Sequence, residues 1–137
     1  MTIPNLQRLR QHVYELAAAF EVRVVETDLP PDRAAAEPNL RVVVVGRIVD
    51  ETTYAVALHE LGHVVDANGQ QHTHQLLAEE SAWAWARYVA LDWTDSMTSV
   101  EQYALGTYHA AAAQQEAQAK WAATTPPANA IDWEDFK

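Results

Sequence analysis

Two histidines and a glutamate near the middle of the chain have the spacing of a metal site. His59, Glu60 and His63 form the pattern H-E-x-x-H inside a segment with helical periodicity. Residues four apart lie one turn apart on a helix, so both imidazoles can reach one ion. Glu60 lies about 100° further round the helix than His59, where its carboxylate can hold a water molecule instead of the metal. The pattern predicts a Zn²⁺ site that activates water, with Glu60 as the general base. An amphipathic helix with two solvated histidines is the alternative interpretation.

A catalytic zinc usually has three protein ligands and a water, so the pattern requires one more ligand. Glu79 is the best candidate, because on a helical projection it lies in the middle of a face of apolar and small residues. An unpaired carboxylate would be costly there, and the alanines of that face allow a close approach between helices. Glu80 points about 100° away, close to Arg87, and is typical of a surface charge. One Zn²⁺ per chain, held by His59, His63 and Glu79, is therefore expected.

Three other side chains follow the motif closely. Asp66 shares the helix face of both motif histidines, and we expect its carboxylate to orient an imidazole instead of binding the metal. His72 and His74 lie in a polar loop, where they are either solvated histidines or alternative ligands. The longer metzincin pattern, H-E-x-x-H-x-x-G-x-x-H, fails because Asp66 and Gly69 occupy its glycine and final histidine positions.

Water activated by zinc can hydrolyse an amide bond. That reaction also needs a group that stabilises the negative charge that develops on the carbonyl oxygen. Tyr103, Tyr108 and His109, all in the last predicted helix, are the candidates for this role. Each of them is equally typical of an ordinary core or surface position on a helix.

Composition restricts the partners and the ligands. The chain has 137 residues, 49% of them hydrophobic, which fits one domain with a real core. A formal charge of −10 disfavours nucleic acids and anionic membranes as partners. There is no cysteine, so a metal must be bound by histidine and carboxylate. The first residues do not resemble a signal peptide and no apolar run is long enough to span a membrane, so the expected location is the cytoplasm. The oligomeric state stays open.

The hydrophobic periodicity predicts an α+β domain in which a small sheet of two or three strands packs on the motif helix, together with three other helices. The predicted elements are a helix over 6–20, strands over 22–25 and 40–49, and helices over 54–67, 75–92 and 98–124. Residues 27–39 contain three prolines and are expected to be a loop or a partly ordered crossing. Gly46 is expected at a bulge or bend, and Thr98 with Glu101 reads as a capping box for the last helix. The domain is expected over 1–125, with an acidic and aromatic tail over 126–137.

Several of these segments resemble known metallopeptidases. The segment 79–86, E-x-x-A-x-x-W-A, is similar to the E-x-x-A-N-x-F-A pattern of ImmA/IrrE-type metallopeptidases. Segments 58–63, 79–86, 90–94 and 104–108 resemble the L-H-E-L-G-H, E-x-x-A-W-x-W-A, A-L-x-W-T and A-L-G-x-Y stretches of metallopeptidase-like proteins encoded by actinobacterial phages. The resemblance covers about residues 42–108, and Trp83 stands where the ImmA/IrrE pattern has asparagine.

This resemblance implies a zincin-like fold and a gluzincin-type zinc metallopeptidase acting on a peptide or protein substrate. It implies His59, His63 and Glu79 as ligands and Glu60 as the general base. The strand of valines over 42–45 resembles the zincin edge strand that pairs with an extended substrate, and a buried core strand is the alternative. Two other functions stay open: a zinc-stabilised interaction or regulatory protein with little or no peptidase activity, and hydrolysis of a non-peptide amide.

Overall fold

A computed structural model describes residues 5–66 and 75–124 of the chain. Within these residues the fold is α+β, with four α-helices and a three-stranded mixed sheet, which confirms the predicted fold class. The elements are α1 (Leu6–Ala19), β1 (Arg23–Thr27), a short 3₁₀ helix (Pro31–Arg33), β2 (Ala35–Glu37), β3 (Val42–Gly46), α2 (Glu51–Asp66), α3 (Gln75–Val89) and α4 (Asp95–Thr124). The predicted last residue, 67, of the motif helix, the loop histidines His72 and His74, and the tail over 126–137 lie outside the described residues.

The sheet has the strand order β1-β3-β2, so the valine-rich strand lies in its centre. β1 pairs with β3 in parallel, from Arg23 opposite Val42 to Thr27 opposite Gly46. β2 pairs with the other side of β3 in the antiparallel direction. The prediction that the valine strand is a substrate-binding edge strand is therefore wrong, and the alternative of a core strand is correct, because Val43 and Val45 are buried.

Of two local predictions for this region, one is confirmed and one is wrong. Residues 27–39 are partly ordered, since they contain a short 3₁₀ helix and the strand β2, which forms against β3 although its sequence, Ala-Ala-Glu, has little strand propensity. Gly46 is not at a bulge, because it continues the regular pairing of β1 with β3. A Cβ atom at Gly46 would overlap the carbonyl oxygen of Leu29, so a close approach of backbone explains the glycine.

α2 is the central helix of the fold, and each of residues 54–62 is buried. It begins at Glu51, three residues earlier than predicted, because Asp50 caps it. The Thr53 amide donates to Asp50 Oδ1 at 2.8 Å, and the Asp50 amide donates to Thr53 Oγ1 at 3.0 Å. On one side α2 packs against α1, whose residues Leu9, Val13 and Ala17 are in the core.

The predicted capping box of the last helix is wrong. α4 begins at Asp95, and Thr94 caps it by accepting a hydrogen bond from the Met97 amide on its hydroxyl oxygen at 3.3 Å. Thr98 instead accepts a hydrogen bond from the Trp93 indole, and Glu101 is buried in an ion pair with Arg87. Both side chains form contacts between elements that a local sequence pattern does not reveal.

Candidate metal centre

The side chains of His59, His63 and Glu79 converge between α2 and α3. His59 Nε2 lies 3.1 Å from His63 Nε2 and 2.6 Å from Glu79 Oε2, and His63 Nε2 lies 3.1 Å from Glu79 Oε1. His59 and Glu79 are buried and His63 is partly buried. Among the described residues, this is the group of histidine and acidic side chains close enough to hold one metal ion. The three residues predicted as ligands are therefore brought together.

The size of this triangle fits a small tetrahedral ion. When metal bonds are roughly 2.0–2.2 Å long, neighbouring ligand atoms of a tetrahedral zinc are roughly 3.4 Å apart. The two Nε2 atoms are 3.1 Å apart, slightly closer than this spacing, and they face different oxygens of Glu79, Oε2 at 2.6 Å from His59 and Oε1 at 3.1 Å from His63. Side-chain shifts that bring one of these oxygens between the two nitrogens would complete the set of three ligand atoms. A set of two imidazole nitrogens and one carboxylate oxygen suits zinc, whereas Mg²⁺ and Ca²⁺ prefer sites made of oxygen.

The imidazole nitrogens and carboxylate oxygens that converge here all carry lone pairs. They can lie this close together only if positive charge balances them. Burial alone would lower the pKa of His59, but hydrogen bonds to Glu60 and Glu79 and the charges of both carboxylates raise it to about 9. Burial alone would raise the pKa of Glu79, but hydrogen bonds to His59 and His63 and their positive charge hold it at about 2. Of the described residues that line the adjoining cleft, none is a lysine or an arginine. Protons or a metal ion must therefore supply the balancing charge.

A glycine in the motif brings the two helices close enough for this geometry. A Cβ atom at Gly62 would lie 2.8 Å from the backbone oxygen of Ala82 and 3.1 Å from its Cα. Ala82 stands one helical turn after Glu79, so this contact fixes the height of Glu79 relative to both histidines. The close helix approach expected from the alanine-rich face of α3 is present, and the residue on α2 that permits it is Gly62.

Glu60 lies beside the cluster without joining it. Its side chain is buried, and Oε1 lies 3.3 Å from His59 Nδ1, the ring nitrogen opposite the one that faces Glu79. The carboxylate also lines the cleft. This position agrees with the prediction that Glu60 is not one of the metal ligands.

His59 and Glu79 line a cleft with a volume of about 620 Å³. α2 and α3 form one wall, α4 forms the opposite wall with residues such as Val100, Ala104 and Tyr108, and residues 31–34 before β2 form one end. Most of this lining is apolar. The cleft can therefore hold a ligand with apolar groups directly beside the metal cluster.

The two predicted tyrosines both line this cleft, but in different ways. Tyr108 lines the cleft together with Glu79, and burial together with the negative charge of Glu79 raises the pKa of Tyr108. The phenol therefore stays protonated at neutral pH and can donate a hydrogen bond. Tyr103 is 81% exposed and lies on the rim, away from the metal ligands.

Of the other candidates, those in the described residues lie outside the group formed by His59, His63 and Glu79. His109 is exposed, does not line the cleft and has Nε2 3.9 Å from Glu80 Oε1. Glu80 is exposed as well, in agreement with its interpretation as a surface charge. Asp66 is half-buried at the end of α2 and is not part of the three-residue cluster. His72 and His74 fall outside the described residues.

One residue of the site was not predicted to have a role. The Trp83 indole stacks on the His59 imidazole with ring centroids 4.3 Å apart and 14° between the planes. Helix phase places Trp83 on the same face of α3 as Glu79. That phase does not reveal a stack between two helices, because the stack depends on how closely the helices approach.

Comparison with protein-family models, with curated proteins and with solved structures found no match to this chain. No helix in residues 5–66 and 75–124 combines the length and the apolar character needed to cross a membrane.

Proposed function

We propose that this protein is a zinc-dependent metallopeptidase of the gluzincin type with a zincin-like fold. The observation that carries the proposal is the convergence of His59, His63 and Glu79 at the wall of a cleft, with Glu60 buried beside them. In a gluzincin arrangement the third ligand is a glutamate from the helix after the motif helix, and Glu79 on α3 has that position. The three ligands would hold one zinc ion per chain and leave a fourth position for water.

Bound zinc lowers the pKa of water and polarises a carbonyl group. Glu60 takes the proton of the attacking water while the oxygen of that water bonds to the carbonyl carbon of the peptide. Glu60 then gives the proton to the nitrogen as the carbon–nitrogen bond breaks, so the products are a carboxylic acid and an amine, which exchange a proton to become a carboxylate and an ammonium group. Its burial beside His59 keeps the carboxylate next to the metal ligands, where this transfer must occur.

Tyr108 is the best placed of the three candidates for stabilising the carbonyl oxygen. It lines the cleft together with Glu79 and Glu60, where the scissile carbonyl would lie. The raised pKa keeps the proton on the phenol, as a hydrogen-bond donor requires. Tyr103 and His109 lack this proximity to the ligands.

The substrate that fits this cleft is a peptide or protein segment with apolar side chains. The mostly apolar lining favours such side chains, and an anionic group would meet Glu60 and Asp32 without a lysine or arginine among the described lining residues. β2 is an edge strand of the sheet, and the residues just before it line the cleft. An extended peptide can pair with such an edge through its backbone.

The test is a comparison of Glu60→Gln with wild type and with Glu116→Gln. Glu116 is exposed on α4 and loses the same charge in its variant, which makes it a matched control. All three proteins are loaded with Zn²⁺, analysed for bound metal and incubated with a peptide library read by mass spectrometry. We expect about one zinc per chain in each, with cleavage reduced roughly 10²- to 10⁴-fold only in Glu60→Gln.

Two results would contradict this mechanism. Cleavage that persists in Glu60→Gln would exclude Glu60 as the base. Stoichiometric zinc in wild type without cleavage of any peptide would favour the zinc-stabilised interaction protein instead.

A further inference from the structure

Trp83 covers one face of a proposed zinc ligand. Its indole is 2% exposed and lies nearly parallel to the His59 imidazole, with 4.3 Å between ring centroids and 14° between planes. Trp83 is on α3 and His59 is on α2, so the stack joins the same two helices that carry the metal ligands. The contact also shields that face of the imidazole from water.

A hydrogen bond from the indole N–H does not explain why a tryptophan occupies this position. Trp83 Nε1 is buried, and among the described residues no acceptor is within hydrogen-bond reach. An unpaired buried donor costs about 1–3 kcal/mol, so the N–H lowers the stability of the fold. The favourable contribution of the side chain must come from the packing of its ring.

The stack completes the confinement of the His59 ring. Glu60 lies against Nδ1 and Glu79 against Nε2, while His63 meets the ring at an angle of 71° with 4.6 Å between centroids. These contacts fix the ring within its plane, and the indole face opposes rotation out of that plane. A ligand held in its binding orientation loses less conformational freedom when a metal binds.

We propose that Trp83 is a positioning residue for the metal centre, holding the imidazole plane of His59 so that Nε2 faces the ion. This inference depends on the zinc site of the proposed function but not on peptidase activity. It also assigns a role to the position at which the chain differs from the ImmA/IrrE pattern.

The experiment measures the Kd for Zn²⁺, by competition with a chromophoric chelator, in wild type, Trp83→Leu, Trp83→Phe and Trp85→Leu. Trp85 is the matched control, since it lies on the same helix and packs edge-to-face on Phe20 instead of on a ligand. Groups that orient a metal ligand typically change affinity roughly 10- to 100-fold, and we expect that loss in Trp83→Leu. Trp83→Phe keeps an aromatic face and should recover most of the affinity. Trp85→Leu should bind zinc as wild type does.

Unfolding of each metal-free variant by urea separates a general loss of stability from a loss of positioning. Equal zinc affinity in Trp83→Leu and Trp85→Leu would overturn the inference, as would equal losses in Trp83→Leu and Trp83→Phe. If Trp83→Leu does not fold, NMR of zinc-loaded wild type decides: the ring current of a stacked indole shifts the His59 ring protons upfield, and unshifted protons would refute the stack. Failure of wild type to bind zinc would instead overturn the proposed function.

Discussion

Two buried glutamates on neighbouring helices, Glu79 on α3 and Glu101 on α4, differ in how the protein balances their negative charge. Glu101 receives both of its hydrogen bonds from the Arg87 guanidinium, which also lies over the Trp93 ring. Glu79 faces two imidazoles and a phenol, and no arginine or lysine is paired with it in the described residues. The first carboxylate is neutralised within the protein, whereas the second lies among atoms that need an added cation.

A buried histidine on the other side of α2 gives the same contrast. His12 Nδ1 lies 2.7 Å from the Tyr54 hydroxyl, and that oxygen accepts a hydrogen bond from the Leu91 amide. Burial, followed by the positive charge of Arg8, lowers the pKa of His12, so this imidazole is neutral. Its hydrogen bond with Tyr54 is then made without any added charge. His59 has a carboxylate at each ring nitrogen. The polar groups of the proposed metal site therefore differ from the structural ones in whether protein atoms alone balance their charge.

The strongest test of this comparison is a matched pair, Glu79→Gln and Glu101→Gln. The first change removes a ligand, and we expect bound zinc to fall from about one per chain to a trace. The second should leave zinc unchanged and lower the free energy of unfolding by about 1–2 kcal/mol, because Arg87 is half exposed and solvent screens the pair. Elemental analysis and urea denaturation measure the two effects. If Glu79→Gln retains zinc, Glu79 is not the third ligand, and His72 or His74 is the next candidate.

The convergence of His59, His63 and Glu79 could be predicted from the sequence because it depends on two local periodicities. H-E-x-x-H places His59 and His63 on one face of α2, and the apolar face of α3 has Glu79 at its centre. If those faces pack together, the ligands must meet. The long-range partners could not be predicted in this way. The pairing of Glu101 with Arg87 and the stack of Trp83 depend on the positions of helices relative to one another.

The sheet shows the same limit. The valines of β3 predicted a strand, but its central position depends on β2, whose residues Ala35–Glu37 carry almost no strand signal. β2 forms because β3 has a second side with free hydrogen-bonding groups. Local propensity therefore predicted β3, whose composition is the most typical of a strand. It missed β2, which forms by pairing with β3.

The helix approach at the metal centre can be tested with a second matched pair, Gly62→Ala and Gly106→Ala. A methyl group at Gly62 would be 2.8 Å from the Ala82 oxygen, so α3 must shift and carry Glu79 away from the histidines. We expect weaker zinc binding and a loss of about 1–3 kcal/mol in unfolding free energy, the usual cost of overpacking. Gly106 has no atom within 4 Å of an added Cβ and lies within α4. There, alanine should add about 0.5–1 kcal/mol without affecting zinc. Unchanged zinc affinity in Gly62→Ala would show that the helix spacing is not critical.

The smallest expected effect concerns His12 and its pH dependence. Because the folded pKa of His12 lies below the ordinary value of 6.5, the unfolded chain binds the proton more readily than the native state. The contribution of His12 is therefore fully present above pH 6.5 and declines as the pH falls through the lower folded pKa. His12→Gln should show a shallower decline in unfolding free energy between neutral and mildly acidic pH than wild type. The measurement is urea denaturation of both proteins on the Glu79→Gln background, which removes the zinc linkage. An identical slope in the two proteins would mean that His12 is already free to take up a proton in the folded state, and the contrast with His59 would then no longer hold.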